Sequence, residues 1–530
     1  MTSLTTNPSM AQLHHSYLLV PMMPTPNGAL HLGHVAGPYL KMDVLARFLK
    51  QHGHRAALIT TTDCFETHVL QSAERTGMTA HEVCKHFHEA IHRDFEYLDI
   101  AFDAFINPVS DEHAPAFRKV HAQVAEHLFA LGAARVQEEL FLADEATGEP
   151  VLGFRLIGCC ARCGTETMGF VCEHCGLQMT TQMLREPRSV SGARAEWRQG
   201  RTLALKVANA ASLARRIAGM PLPETFRQAM TEFLDEKNLI RISTLGDHGV
   251  CRHEIGGQGY TLYNTYFGHA LFCGELYRER FGAERNPYAQ GSGVTTVTSC
   301  GLDNATDLTA SLAFAQAYGS HRSFDHCLGN FFLTLHGRKF STGASHAIFV
   351  ADLAGHGRVN VDALRMYMMS LSLHECMCDF DANDFLRLHN EWFVGELVPR
   401  INAAAAACES NAEGAPSPEL QFVWQHALLQ RDKAMAFDAF LPPLYVRALS
   451  EYLAYVPCSP ADARCWLEGF AILAWPLIPA LAGQVWRGLG RDGMPTCEAL
   501  SNPSVRPPTL RLATVPRITL ADLPEASATP

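Results

Sequence analysis

At 530 residues the chain is too long for one ordinary hydrophobic core, and about two to four packed units are expected. Hydrophobic residues make up 47% and charged residues 18%, which excludes a disordered chain, and no apolar run is long enough to cross a bilayer. The net charge of −11 argues against a protein that coats nucleic acid non-specifically, although a local basic groove remains compatible with it.

Met1 to His15 is polar and lacks a basic start followed by an apolar core, so no secretory signal is legible and a cytoplasmic location is expected. The 17 cysteines then read as buried thiols or metal ligands rather than disulfides. His15 to Pro21 is a short apolar run, followed by a Pro/Asn/Gly turn (Pro24, Pro26, Asn27, Gly28) and a periodic stretch from Leu32 to His52. Gly53 stops that helix and Arg55 to Thr61 reads as a second buried strand, which predicts a βαβ unit with a parallel sheet. A nucleotide is expected at the loop after the first strand, where His31, Gly33 and His34 open the helix.

From about Ala116 to Leu245 the pattern changes to acidic turns and short strand-like pieces, read as an insertion. It contains Cys160-x2-Cys163-x8-Cys172-x2-Cys175, with Gly164 and Gly176 after each pair. Two such knuckles suit one tetrahedral zinc ion, and four protein ligands leave no open position, so the role is structural; adjacent Cys159 is an alternative to Cys160. A second cluster, Cys84, His86, His88 and His92, is set aside as solvated or capping side chains on a helix. Strand–helix alternation returns at Ser292 and runs through Tyr318. From Asp384 onward the pattern is helical, with an alanine run at Ala403 to Ala407, and the tail beyond Asn502 is Pro-rich.

Pro24-x-Pro26-Asn27-Gly28-x2-His31-Leu32-Gly33-His34 resembles the HIGH signature of class I aminoacyl-tRNA synthetases. Gly53-His54-Arg55, Thr62-Asp63, His92-Arg93-Asp94-Phe95, Glu186-Pro187-Arg188-Ser189 and Asp379-Phe380-Asp381 resemble blocks of the methionyl-tRNA synthetase family in the same order, across most of Tyr17 to Ile401. The resemblance implies an α/β fold with a Rossmann-like parallel sheet, a zinc-binding insertion and a C-terminal helical bundle. Residues 1–115 and 246–345 would form the two catalytic halves, 116–245 the insertion, 346–385 a stem-contact-like linker, 386–502 a domain resembling an anticodon-binding one, and 503–530 a disordered tail.

It also implies ATP, with Mg²⁺, as a substrate. His31 and His34 would be catalytic, together with Lys339 and Ser341 of Gly337-Arg338-Lys339-Phe340-Ser341-Thr342-Gly343, which falls at the KMSKS loop with Thr342 in place of its second lysine. Asn27, Gly28, Gly33, Gly301 and Asp303 would hold ATP, and Asp63 the substrate ammonium. The side-chain pocket departs from the family: Thr25, Leu262, Tyr266, His269, Asn304 and Leu308 replace its methionine-reading residues, and Thr25, Tyr266, His269 and Asn304 become candidate amino-acid contacts. Cys458 stands where the family stacks an anticodon base on Trp.

The expected activity is formation of an aminoacyl adenylate from an amino acid other than methionine, followed by transfer to an acceptor. Relatives of this kind in natural-product pathways act with a cupin domain to join an amino acid to a hydroxylated amine, making an N–N bond. By that analogy the acceptor is a small hydroxylated amine such as N-hydroxylated lysine, and the cupin a separate chain. The alternatives are a methionine–tRNA ligase with a tRNA acceptor and, from a different class, a non-catalytic synthetase-derived binding subunit.

Overall fold

The computed structural model describes residues 14–170, 172, 177, 179–234, 240–340, 346–408, 415–501 and 509–524. Its centre is a five-stranded parallel sheet made of β1 (Ser16–Pro21), β2 (Arg55–Thr61), β3 (Ala104–Ile106), β4 (Val294–Gly301) and β5 (His326–Asn330), in the order β5-β4-β1-β2-β3. Leu18, Leu19 and Val20 of β1 are fully buried, as expected of a parallel strand covered on both faces. The chain moves from β1 toward β3 on one side and returns to β4 and β5 on the other. The order therefore reverses between β1 and β4, and the crevice beyond the carboxyl ends of these strands is where such sheets bind ligands.

The stretch expected as one helix after β1 is interrupted. It runs as Leu32–His34, then a wide π turn at Val35–Tyr39, then α1 (Leu40–Gln51). Pro38 has no N–H to bond the preceding turn, and Gly37 takes ψ −106°, outside helical values; both loosen the ladder locally. Three further helices flank the sheet, α2 (Ala80–Tyr97), α3 (Tyr266–Phe281) and α4 (Ala305–Tyr318), and α5 (Val361–Ser370) follows beyond it.

The insertion is built from antiparallel sheets, Ala134–Asp144 with Ala195–Leu205 and Ile240–Arg241, and Leu156–Cys159 with Glu166–Met168 and Arg185–Ser189. Its start differs from the expected residue 116. The helix Ala114–Ala130 packs Phe117, Val124 and Leu128 into the same apolar cluster as Leu18 and Val20, and only the layer around Leu142, Leu156, Cys160, Cys172 and Leu184 has a core of its own. The C-terminal helices Val398–Cys408, Pro418–Ala434, Pro442–Ala454, Pro460–Ala474 and Pro479–Gly488 bury Trp424, Trp466 and Trp486. Four of them start at a proline, whose missing N–H costs nothing in a first turn. Ala404 and Ala405 are buried in the helix that packs on Pro460–Ala474. The tail expected to be disordered is ordered over 509–524. Leu510, Ile518 and Leu523 are buried, Ile518 bonds both ends of the Asn390 amide (2.6 and 2.9 Å), and the N–H of Leu512 donates to Asn402 Oδ1 (3.0 Å). Among the described residues no helix is long and apolar enough to cross a membrane.

A buried ion pair ties α1 to α5. Arg365 Nη2 donates to Asp43 Oδ2 at 2.7 Å, with both side chains essentially unexposed. The guanidinium also donates to the carbonyls of Leu98, Asp99, Pro476 and Leu477, so its five N–H groups have five acceptors. Asp43 further accepts from Arg47 and the N–H of Ala101, and these cations hold its carboxyl below the usual range despite burial. Arg365→Ala, which strands the polar groups around it, is expected to lower stability by about 3–5 kcal/mol in urea melts, and Arg365→Met with Asp43→Leu by less. A single variant as stable as the parent would show that the pair holds nothing together.

Candidate active site

At the end of β1 the chain turns through 24–30 and reaches His31, which caps the first helical turn. The His31 and His34 rings stack with centroids 3.6 Å apart and planes 10° from parallel. The backbone N–H of His34 donates to Nδ1 of His31 (3.2 Å), and that of His31 donates to Nδ1 of His34 (3.4 Å). With both Nδ1 atoms acting as acceptors, the proton on each neutral ring sits on Nε2. Burial, reinforced by the neighbouring His34 and Lys339, holds His31 well below the ordinary histidine range. Burial lowers His34 to about 4, Asp303 raising it and Lys339 lowering it. At neutral pH the pair therefore offers neutral N–H donors. Gly33 is required by this packing: a Cβ there would stand 3.1 Å from the His31 ring and 3.2 Å from Phe340.

The ends of β4 and β5 face this pair. Lys339 Nζ donates to Asp303 Oδ2 (3.3 Å) and lies 4.1 Å from the centre of the Phe332 ring, while Asn304 Nδ2 donates to Asp303 Oδ1 (2.9 Å). Asp303 folds back over Gly301, where a Cβ would come within 2.5 Å of its Oδ1. Buried Lys41 donates to the carbonyl of Leu328 (2.7 Å) and to Asn330 Oδ1 (2.9 Å), and burial lowers it to about 8. Ser341 and Thr342 lie outside the described residues.

A second group of side chains gathers beyond the end of β2. The N–H of Asp63 donates to the Pro24 carbonyl (2.8 Å), and its carboxylate accepts from Asn264 Nδ2 (2.6 Å) and the N–H of Phe65 (3.4 Å). Burial and the adjacent Glu66 push Asp63 up to about 7. Burial and the charges of Asp63, Glu66 and Asp303 do the same to Asp307, at the start of α4. Burial also acts on Glu66, but His68 and the Thr67 hydroxyl and N–H outweigh it and leave Glu66 lowered. Asp307, Tyr263, Thr265, Tyr266, Phe233 and Arg241 line a cavity of about 20 Å³, and Arg241 is held by Glu139 through two bonds of 2.6 and 2.8 Å.

The remaining expected contacts also bond to the scaffold. The Tyr266 hydroxyl donates to the Val20 carbonyl (3.0 Å) and pairs with Thr298, so only its ring reaches the cavity wall. His269, one turn along α3, is fully enclosed between the hydroxyls of Thr61 (3.2 Å) and Thr60 (3.5 Å), and burial lowers it to about 3. Thr25 gives its carbonyl to the N–H of Asn27 (2.9 Å), the Asn27 carbonyl accepts from Ser72 (2.7 Å), and Gly28 is buried. Sequence reasoning missed Asn264, Glu66, Tyr263 and Asp307. Asp307 carried a signal, since it stands four residues after Asp303 where the helix begins; Asn264 carried none.

In the insertion, the sulfur atoms of Cys160, Cys163 and Cys172 lie within 4.8 Å of one another, with Cys163 and Cys172 at 3.6 Å. The N–H of Cys160 donates to Thr165 and that of Gly164 to Cys160, closing the first knuckle, where Gly164 takes φ +74°. Hydrogen bonds from Thr165 draw the Cys163 thiol down to about 6. Three converging thiols of this kind can hold a soft or borderline metal ion. Cys175 lies outside the described residues. His88 instead stacks on Phe105 (4.5 Å) and bonds Thr62, and among the described residues the cluster Cys84, His86, His88 and His92 forms no metal-binding group.

The family model for tRNA synthetases class I (M) matches residues 17–404. Similar proteins include the methionine–tRNA ligases of Cutibacterium acnes, 25% identical over 423 residues (73% of this chain, 68% of the relative), and Porphyromonas gingivalis, 26% identical over 410 residues (76% and 59%). The alignments thus span about three fifths to two thirds of these relatives' length. Mycobacterium tuberculosis methionyl-tRNA synthetase bound by methionyl-adenylate shares the fold, with a TM-score of 0.66 at 16% identity over 95% of this chain and 99% of that one. With the family model covering most of its length and its sheet, crevice and helices in the matching arrangement, the chain belongs to the M family of class I tRNA synthetases, which are ATP-using ligases.

Proposed function

We propose that the chain activates an amino acid with ATP. The amino-acid carboxylate attacks the α-phosphorus, the bond to the β,γ-phosphates breaks, and an aminoacyl adenylate and Mg²⁺-bound pyrophosphate result. The observation that carries this reading is the neutral His31–His34 pair standing opposite Lys339 and Asp303 in one crevice. Two imidazole N–H groups and an ammonium are suited to charge that builds on phosphate oxygens, and Asp303 to ribose hydroxyls. Asp63 would take the substrate α-ammonium.

The amino acid is read as one other than methionine. A thioether placed against Asp63, Asn264 and Asp307 would remove water from polar groups without replacing its hydrogen bonds. The acceptor is read as lying outside translation, a small hydroxylated amine handled with a separate cupin protein. Exposed Cys458, whose thiol donates to Asp462 at 2.8 Å, offers no ring for base stacking. The second reading, a methionine–tRNA ligase, is favoured by the relatives, which carry that activity in their names. The three thiols and Cys175 would hold a structural zinc ion.

Pyrophosphate exchange across all amino acids tests this. Exchange is expected with an amino acid other than methionine, and His34→Ala or Lys339→Ala is expected to slow it by about 10²–10³-fold without loss of fold. Exchange with methionine alone, together with charging of a methionine tRNA, would establish the second reading, and unchanged rates in His34→Ala would remove the phosphate role.

The carboxyl of Asp63 must be ionised to meet an ammonium, and in the free enzyme that happens only above about pH 7. The kcat/KM for the amino acid is therefore expected to rise from pH 6 to 8 and then level. Glu66→Gln removes a charge that raises Asp63, so the rise should move to lower pH. A profile identical in the two proteins would contradict the coupling.

Metal analysis of the purified protein is expected to find one zinc per chain, and Cys163→Ser or Cys172→Ser to lower the folded yield. A metal-free protein of full stability would eliminate the site.

A further inference from the structure

Charge does not balance at the amino-acid end of the crevice. Asp303 has Lys339 at 3.3 Å, Glu66 has His68 at 3.6 Å, and Arg241 is committed to Glu139. Asp63 is met only by the neutral Asn264 amide and a backbone N–H, and Asp307 has no ion-pair partner among the described residues. A substrate α-ammonium answers one of these two carboxylates and leaves the other. Next to Asp63, Asn264 is 8% exposed; its NH₂ is used by Asp63, and its side chain also meets the buried His121 imidazole. Beside Asp307, the rings of Tyr263 and Tyr266 border the small cavity, and aromatic rings tolerate a cation where a second carboxylate would be repelled.

Resting on the adenylation reading above, we propose that this crevice selects an amino acid with a second cationic group on its side chain, an amine or a guanidinium, and that Asp307 is the residue that reads it. The other side-chain classes fit less well. A thioether or alkyl chain leaves Asp307 unpaired, a carboxylate adds a like charge beside Asp63, Glu66 and Asp307, and a hydroxyl donates one bond but leaves the charge unmatched. A second cation satisfies Asp307 and relieves the repulsion that burial and the neighbouring acids impose on it.

The test uses the full chain in pyrophosphate exchange with lysine, ornithine, 2,4-diaminobutyrate, arginine, methionine, serine and glutamate. One of the first four is expected to react fastest. Asp307→Asn is expected to lower its kcat/KM by about 10- to 100-fold, with the KM for ATP unchanged. A neutral or acidic amino acid reacting fastest, or an Asp307→Asn protein with undiminished kcat/KM for the basic one, overturns the proposal while amino-acid activation stands. Should Asp307→Asn fail to fold by circular dichroism, Asp307→Glu, which keeps the charge, is expected to retain the preference for a basic amino acid, and a switch to a neutral one counts against the proposal. Exchange with some other neutral or acidic amino acid also overturns the proposal, and exchange with none of the seven or of the remaining amino acids removes the activation reading instead. Calorimetry with lysine, ornithine, 2,4-diaminobutyrate and arginine then decides the pocket: binding lost in Asp307→Asn sustains it, and no binding by the parent protein overturns it.

Discussion

The contact on which the site most depends lies away from it. The helix that starts with the histidine pair is loosened by a π turn at Val35–Tyr39 and becomes regular only in α1, so the direction in which His31 and His34 are presented rests on how α1 is anchored. Asp43 and Arg365 supply that anchor. Five carbonyl and carboxylate acceptors around one guanidinium connect α1, the turn after α2, α5 and the segment before Pro479. Taking two charges out of water is costly, and only such complete hydrogen bonding makes the arrangement tolerable; the return is a single permitted geometry. Gln51 and His52, at the far end of α1, extend the tie to the bundle through Ile472, Pro495 and Arg431.

The crevice is divided electrostatically. Around His31 and His34, burial keeps the imidazoles uncharged, and Lys339, paired with Asp303, is the neighbouring cation. At the other end, burial first and neighbouring acids second raise Asp63 and Asp307. In the proposed reading, phosphate chemistry and substrate selection fall to opposite ends of one cleft, with Asp303 belonging to both through Lys339 and its effect on Asp307. A change in amino-acid preference needs to alter only the acidic end.

The sequence made legible what depends on local pattern. The runs before Pro21, from Arg55 to Thr61 and from Ser292 onward became β1, β2 and β4, and the histidines of residues 31–34 stand where the helix was expected to open. It was less informative where tertiary packing decides. Tyr266 and His269 are polar residues in an aligned position, yet both spend their polar atoms on the sheet, because that face of α3 lies on β1 and β2. Asn264 precedes them by two and five residues, lies before the N-cap Thr265 and outside the helix, and bonds Asp63, a placement that no composition reveals. The proline-rich tail had the makeup of a disordered segment, but the buried side chains of Leu510, Ile518 and Leu523 hold it against the helices. The first knuckle was readable because two cysteines three apart with a glycine after them define a turn by themselves.

The order of strands in the central sheet also has a consequence in time. β1 lies at its middle and pairs on one side with β4, from which it is separated by about 270 residues of chain. At about 5–20 residues per second, a ribosome needs roughly a quarter of a minute to a minute to make that stretch. Throughout it, Leu18, Leu19 and Val20 have β2 beside them and an open, apolar edge on the other side. The entire insertion is synthesised in that interval, so the nascent chain carries half of its nucleotide cleft as an unsatisfied sheet edge of the kind that chaperones cover and that promiscuous strand pairing exploits.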